Sequence, residues 1–146
     1  MPEPQTYKNH TRWDPFWHFV LMPLLMLDII FAAYATVHHW PNHAHLFIWW
    51  VVMAIVAFVA VGKARSHSLK AQDRIIRLEE RLRLAALLSA EDNARSKALT
   101  ESQLIGLRFA SDAELPALAM RALDEKLTQK QIKQAINSWR PDYFRV

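Results

Sequence analysis

The chain has 146 residues, a net charge of +4 and no cysteine, and 52% of its residues are hydrophobic. This length allows one small domain or a membrane hairpin with an appendage. The lack of cysteine excludes disulfide frameworks, thiol chemistry and cysteine-based zinc sites.

Two hydrophobic runs follow the N-terminal segment, residues 1–15. The first, residues 16–37, has 22 residues and one charged side chain, Asp28. At about 1.5 Å per residue it reaches about 33 Å, enough to cross a hydrocarbon core of about 30 Å. The second, residues 46–62, has no charged residue. We expect two transmembrane helices, since a cleaved signal peptide would have a shorter apolar region.

The distribution of Lys and Arg predicts the orientation of these spans. Residues 38–45 contain no Lys or Arg, whereas Lys8 and Arg12 precede the first span and Lys63 and Arg65 follow the second. Cytoplasmic segments carry the excess of Lys and Arg. We therefore expect both termini in the cytoplasm, the turn outside, and the lipid bilayer as a partner.

The turn reads HHWPNHAH and contains the candidate metal ligands His39, His43 and His45. Imidazole binds zinc, copper and nickel, but a site needs three or four converging ligands. A related hypothesis is tetrapyrrole ligation by His18 or His45. Histidine also suits a membrane interface without any ligand, and this interpretation is favoured, so no cofactor is predicted.

Asp28 lies near the middle of the first span, where an ionisable side chain is costly and normally faces protein or water. The residues expected at its depth on the second span are Val52, Ala54 and Ile55, and their side chains donate no hydrogen bond. Either the protonated acid faces lipid or it contacts another chain. We favour the contact, which makes Asp28 a candidate interaction residue.

Residues 63–97 contain no glycine or proline and are predicted to continue the second span as one charged amphipathic helix. Four apolar residues there fall at the a and d spacing of a heptad: Ile75, Leu78, Leu82 and Ala85. This stripe needs a partner surface, either another copy of the chain or the chain's own C-terminal region.

Residues 98–146 are predicted to form a small helical cap. Capping-box patterns begin at Thr100, Ser111 and Thr128 and predict helices near 101–109, 112–125 and 129–139. The expected inward residues are Leu104, Leu107, Leu115, Leu118, Leu123, Leu127, Ile132 and Ile136. Three short helices can suggest a DNA-binding helix-turn-helix, but residues 98–146 carry seven Lys or Arg against six Asp or Glu. No nucleic-acid partner is therefore expected.

Four stretches together resemble an uncharacterised family of small bacterial membrane proteins. They are KNHTRWDPFWHFVLMP, LKAQDRIIRLEERLRL, LRFASDAELPAL and INSWRPDYFRV, with QDRIIRLEERLR and WRPDY as the most specific parts. The resemblance covers nearly the whole chain. It implies a bacterial inner-membrane protein and brings no known activity, cofactor or catalytic residue.

The expected fold is all-α: a transmembrane helical hairpin that continues into a long cytoplasmic helix and a small cap. No phosphate loop, nucleophile elbow, HExxH helix or apolar carboxylate pair is present, so no enzyme is predicted. The predicted function is a membrane-anchored scaffold or accessory subunit, bound to other subunits or to itself. The alternatives are a metal- or tetrapyrrole-binding membrane protein and an oligomeric ion- or proton-conducting element centred on Asp28.

Overall fold

A computed structural model describes residues 5–10 and 13–142. The described residues are helical, with no β-strand and one isolated β-bridge, between Ala110 and Trp139. The helices are a π-helical segment Trp17–Leu21, α1 Met22–His38, α2 Ala44–Leu87, α3 Ala90–Ser96, α4 Glu101–Leu107, α5 Leu115–Asp124 and α6 Gln129–Ala135. The chain divides into two compact units, Trp13–Leu69 and the described residues before and after it.

Two helices of the structure are long and apolar enough to cross a membrane, Trp17–His38 and Ala44–Leu87. Only 11% and 6% of their most apolar windows are buried. The core helix of a soluble protein would instead be mostly buried. Among the described residues of the Trp13–Leu69 unit the buried apolar side chains are all alanines, at positions 32, 35 and 54.

The helix predicted to run unbroken to residue 97 ends earlier, at Leu87. Ser89 lies in an extended conformation, and its side chain accepts a hydrogen bond from the backbone N–H of Asp92. A serine that satisfies an unpaired N–H in this way starts a new helix, α3. The prediction of a single helix was therefore wrong after Leu87. It relied on the absence of glycine and proline, but a serine N-cap is enough to end one helix and start another.

The C-terminal helices pack around a continuous apolar core. Seven of the eight residues expected to point inward are buried, and the eighth, Leu123, is partly buried. Phe109 and Leu99, which were not predicted, also belong to the core. The capping boxes at Thr100 and Thr128 are both present, each with reciprocal bonds between the N-cap residue and a glutamine three residues later.

The third predicted capping box, Ser111 with Glu114, does not form. Helix α5 begins at Leu115, and Glu114 makes no side-chain cap. Its carboxylate instead accepts hydrogen bonds from Asn137 N at 3.1 Å, Asn137 Nδ2 at 2.8 Å and Ser138 N at 3.0 Å. Long-range partners thus replace the local bond and hold the segment after α6 against the start of α5.

The segment before the first apolar helix packs on the C-terminal core. The Gln5 side chain donates to the Asp142 carbonyl at 3.2 Å and accepts from the Asp142 N–H at 2.9 Å. The ring of His10 lies 5.7 Å from Phe109 and 5.6 Å from Trp139. From the sequence we expect the aromatic side chains of residues 143 and 144, which follow Pro141, to dock on the cap as well, but these two residues lie outside the described residues.

Candidate interaction site

The apolar stripe of α2, formed by Ile75, Leu78, Leu82 and Ala85, is exposed along its whole length. Ile75, Leu78 and Leu82 retain 58%, 60% and 64% of their accessible surface. Exposed apolar residues are common singly, but a continuous row on one helix face indicates a contact surface. The row is therefore the strongest candidate interaction site in the described residues.

The C-terminal cap covers the opposite side of the same helix. Ile76, Glu80 and Leu84 are 7%, 3% and 1% exposed. Because successive helical residues are rotated by about 100°, these three point away from the apolar stripe. The sequence left two possible partners for the stripe, another copy of the chain or its own C-terminal region. The structure excludes the second, because the described part of the C-terminal region packs on the opposite face.

Ion pairs and hydrogen bonds also link the buried face of α2 to the cap. Arg83 contacts the buried carboxylate of Glu80 at 3.1 Å, Asp112 at 2.6 Å and the carbonyl of Ala110 at 2.5 Å. Burial raises the pKa of Glu80, and the positive charges of Arg83 and Arg140 offset part of this effect. Since Arg83 bonds both to its own helix and to the loop before α5, it holds the cap on the Glu80 face.

Asp28 has a hydrogen-bond donor within its own chain. The indole Nε1–H of Trp50 donates to Asp28 Oδ1 over 3.3 Å, and the Trp50 ring also contacts Phe31 edge-on at 5.6 Å. The sequence placed Asp28 beside Val52, Ala54 and Ile55 and predicted no donor. That prediction was wrong because the register and rotation of the two helices bring the Trp50 side chain beside Asp28. Contact of Asp28 with another chain stays a prediction.

The turn histidines are exposed and are not gathered into one cluster. Among the described residues no group of three or more His, Asp or Glu side chains lies close enough to hold a metal ion. His39 stacks on Phe47 with ring centroids 4.9 Å apart, and its ring edge contacts His38 at 5.2 Å. His43 and His45 are exposed without such a contact. The metal hypothesis stays a prediction that requires rearrangement of the turn.

His18, the candidate tetrapyrrole ligand, contacts its own helix start. Its Nδ1 lies 2.8 Å from the carbonyl of Asp14, and its ring contacts Trp13 at 4.8 Å. A bond from one ring nitrogen leaves the other available, so this contact is compatible with ligation.

An ion pair that the sequence did not predict joins the start of the first apolar helix to α2. Arg65 Nη1 lies 3.0 Å from Asp14 Oδ2, and its guanidinium lies 5.1 Å from the centre of the Trp17 ring. Arg65 is only 16% exposed. The local pattern contains no signal for this contact, because 51 residues separate the two partners.

These features define an all-helical protein with two helices that are long and apolar enough to cross a membrane and with an exposed apolar stripe on one of them. The chain belongs to the Family of unknown function (DUF6526), whose model matches residues 1–146. The expected membership of an uncharacterised family across the chain is thus confirmed. No curated protein and no solved structure gives a significant match.

Proposed function

We propose that the protein is a non-enzymatic scaffold or accessory subunit of a bacterial inner-membrane complex. The two apolar helices form a transmembrane hairpin that anchors the chain. The cytoplasmic part of α2 presents the apolar stripe to a partner, while the cap stabilises that part of the helix. The observation that carries the proposal is the exposure of the stripe in a helix whose other face is buried.

Membrane anchoring is supported by the low burial of the two apolar helices. An apolar surface of that extent, left exposed to water, would be strongly unfavourable. The tryptophans near the helix ends, among them Trp13, Trp17 and Trp49, suit the headgroup regions of a bilayer.

A hairpin with both termini in the cytoplasm is supported by the contact between Asp14 and Arg65. This ion pair joins the residues just before the first span to those just after the second. Two helices that pair at these ends run antiparallel, with the turn at the other side of the bilayer. The turn has no Lys or Arg, which favours its position outside the cytoplasm.

The proposal is tested by pull-down of the full chain from native membranes in mild detergent. The Leu78→Asp/Leu82→Asp variant places two charges on the apolar stripe. If the stripe is buried in a complex, unpaired charge there costs several kcal/mol and the associated chains should be lost. Far-UV circular dichroism should stay unchanged, because both positions are exposed in the isolated chain.

Leu87→Asp is the matched control. Leu87 is also exposed, but it lies on the other side of the helix from Leu78. This control should keep the associated chains. Equal retention by the stripe variant and the control would show that the stripe binds nothing and would refute the scaffold proposal.

A further inference from the structure

We propose that the apolar stripe binds the same stripe of a second copy, so that two α2 helices form a parallel two-stranded coiled coil beneath the membrane. This inference rests on the proposed membrane anchoring and names the partner that the scaffold proposal leaves open.

The first heptad of the stripe has the core residues of a parallel dimer. Ile75 and Leu82 occupy heptad position a, and Leu78 and Ala85 occupy position d. A β-branched residue at a with leucine at d favours two-stranded parallel coiled coils, and Ile75 with Leu78 meets this condition. The cap lies on the opposite face of the helix, so it leaves the stripe open to a second helix.

The flanking charges fit the same arrangement. In this register Arg74 is at position g and Glu79 is at position e of the next heptad, and both side chains are exposed. In a parallel dimer a g residue faces the e residue five positions later on the other helix, so each Arg74 meets Glu79 of the second copy. Within the described part of the chain neither residue forms an ion pair, which leaves both available.

The charges also disfavour the antiparallel arrangement. There the g positions of the two helices face each other. When the stripe residues pair in this direction, Arg81 lies beside Arg81 of the second copy, a pairing of like charges. Identical membrane proteins insert in one orientation, so their α2 helices leave the bilayer in the same direction. Anchoring and charge pattern therefore select the same parallel dimer.

The stripe spans about two heptads, which is short for a coiled coil in free solution. Two conditions compensate for this length. The stripe belongs to a continuous helix of 44 residues, so little order has to be gained on association. Anchoring in one bilayer also confines the copies and raises their effective concentration.

Disulfide cross-linking in native membranes provides the test, because the chain has no cysteine of its own. The Ala85→Cys variant places a cysteine at a d position, where the two cysteines of a parallel dimer face each other. Mild oxidation should convert most of this variant to a species of twice the 17.0 kDa chain mass. Leu87→Cys, which is also exposed but lies on the other side of the helix, should remain a single chain.

Charge reversal tests the parallel register. Arg74→Glu and Glu79→Arg, each in the Ala85→Cys background, turn two attractive contacts per dimer into repulsive ones. This should weaken the dimer about tenfold and reduce the cross-linked fraction at limiting protein-to-lipid ratio. The double variant Arg74→Glu/Glu79→Arg restores opposite charges and should restore cross-linking.

Four outcomes would overturn the inference or separate it from the proposed function. Cross-linking of Ala85→Cys no greater than that of Leu87→Cys overturns the parallel dimer, and failure of the double charge variant to recover overturns its register. A photo-activatable residue at position 85 that captures a chain of another mass overturns the second copy as partner while the scaffold proposal stands. If it captures no chain at all, both proposals fail.

Discussion

Gln103 and Gln131 perform the same local role but differ in what their amide nitrogens contact. Each is the third residue of a helix that a threonine caps, and each accepts a hydrogen bond from that threonine's backbone N–H. Gln103 is 6% exposed, and its Nε2 also donates to the carbonyls of Ala122 at 2.8 Å and Leu127 at 3.1 Å. Gln131 is exposed. The pair therefore isolates the contribution of two buried hydrogen bonds.

Replacement of each glutamine by alanine should have unequal effects. Gln131→Ala removes one capping bond and should lower the free energy of unfolding by about 0.5–1 kcal/mol. Gln103→Ala removes the same capping bond and two buried bonds of about 1 kcal/mol each, so its loss should total about 3 kcal/mol. The desolvated Leu127 carbonyl, left without this donor, adds to the loss.

Hydrogen-exchange mass spectrometry of the full chain in detergent micelles measures these losses locally. Peptides that cover residues 100–127 should exchange much faster in Gln103→Ala than in Gln131→Ala. Gln103→Glu keeps the shape of the side chain and the oxygen that accepts from Thr100. It removes the two donated bonds, however, and places a carboxylate oxygen against the carbonyls of Ala122 and Leu127. It should destabilise the cap at least as strongly at neutral pH. Equal protection in the two alanine variants would refute the assignment of the Gln103 bonds as the link between α4 and α5.

Three other predictions concern titratable groups. Burial alone raises the pKa of Glu114, but its bonds from Ser138 and Asn137 outweigh this and leave it lowered. Glu114 therefore stabilises the cap above pH 4.5, and this contribution is lost as the pH falls through its folded pKa. In a plot of cap stability against pH, Glu114→Ala should reduce the fall in stability on the acid side. The raised pKa of Glu80 has the opposite effect on stability. Its contribution is fully present below pH 4.5 and is lost as the pH rises through its folded pKa, so Glu80→Gln should remove that loss of stability. Asp28→Asn should preserve assembly in native membranes, whereas Asp28→Leu should weaken it if a second chain meets this position; equal assembly of both variants would restrict the role of Asp28 to its bond with Trp50.

Local sequence signals determined much of the helical cap. The capping boxes at Thr100 and Thr128 were predicted because each depends on residues only three positions apart. The inward leucines followed from helical periodicity in the same way. The two apolar helices likewise followed from continuous composition, since length and hydropathy are properties of consecutive residues.

Tertiary structure alone decided which partners distant residues meet. The sequence predicted the apolar stripe, but it did not predict that the cap would pack on the opposite face. That packing depends on the burial of Leu84 in the core of the cap and on the bonds from Arg83 to Asp112 and Ala110. The donor for Asp28 depended in the same way on the rotation of one helix against the other. Sequence periodicity fixes a residue's place on its own helix. It carries no information on the register between helices, which only their packing selects.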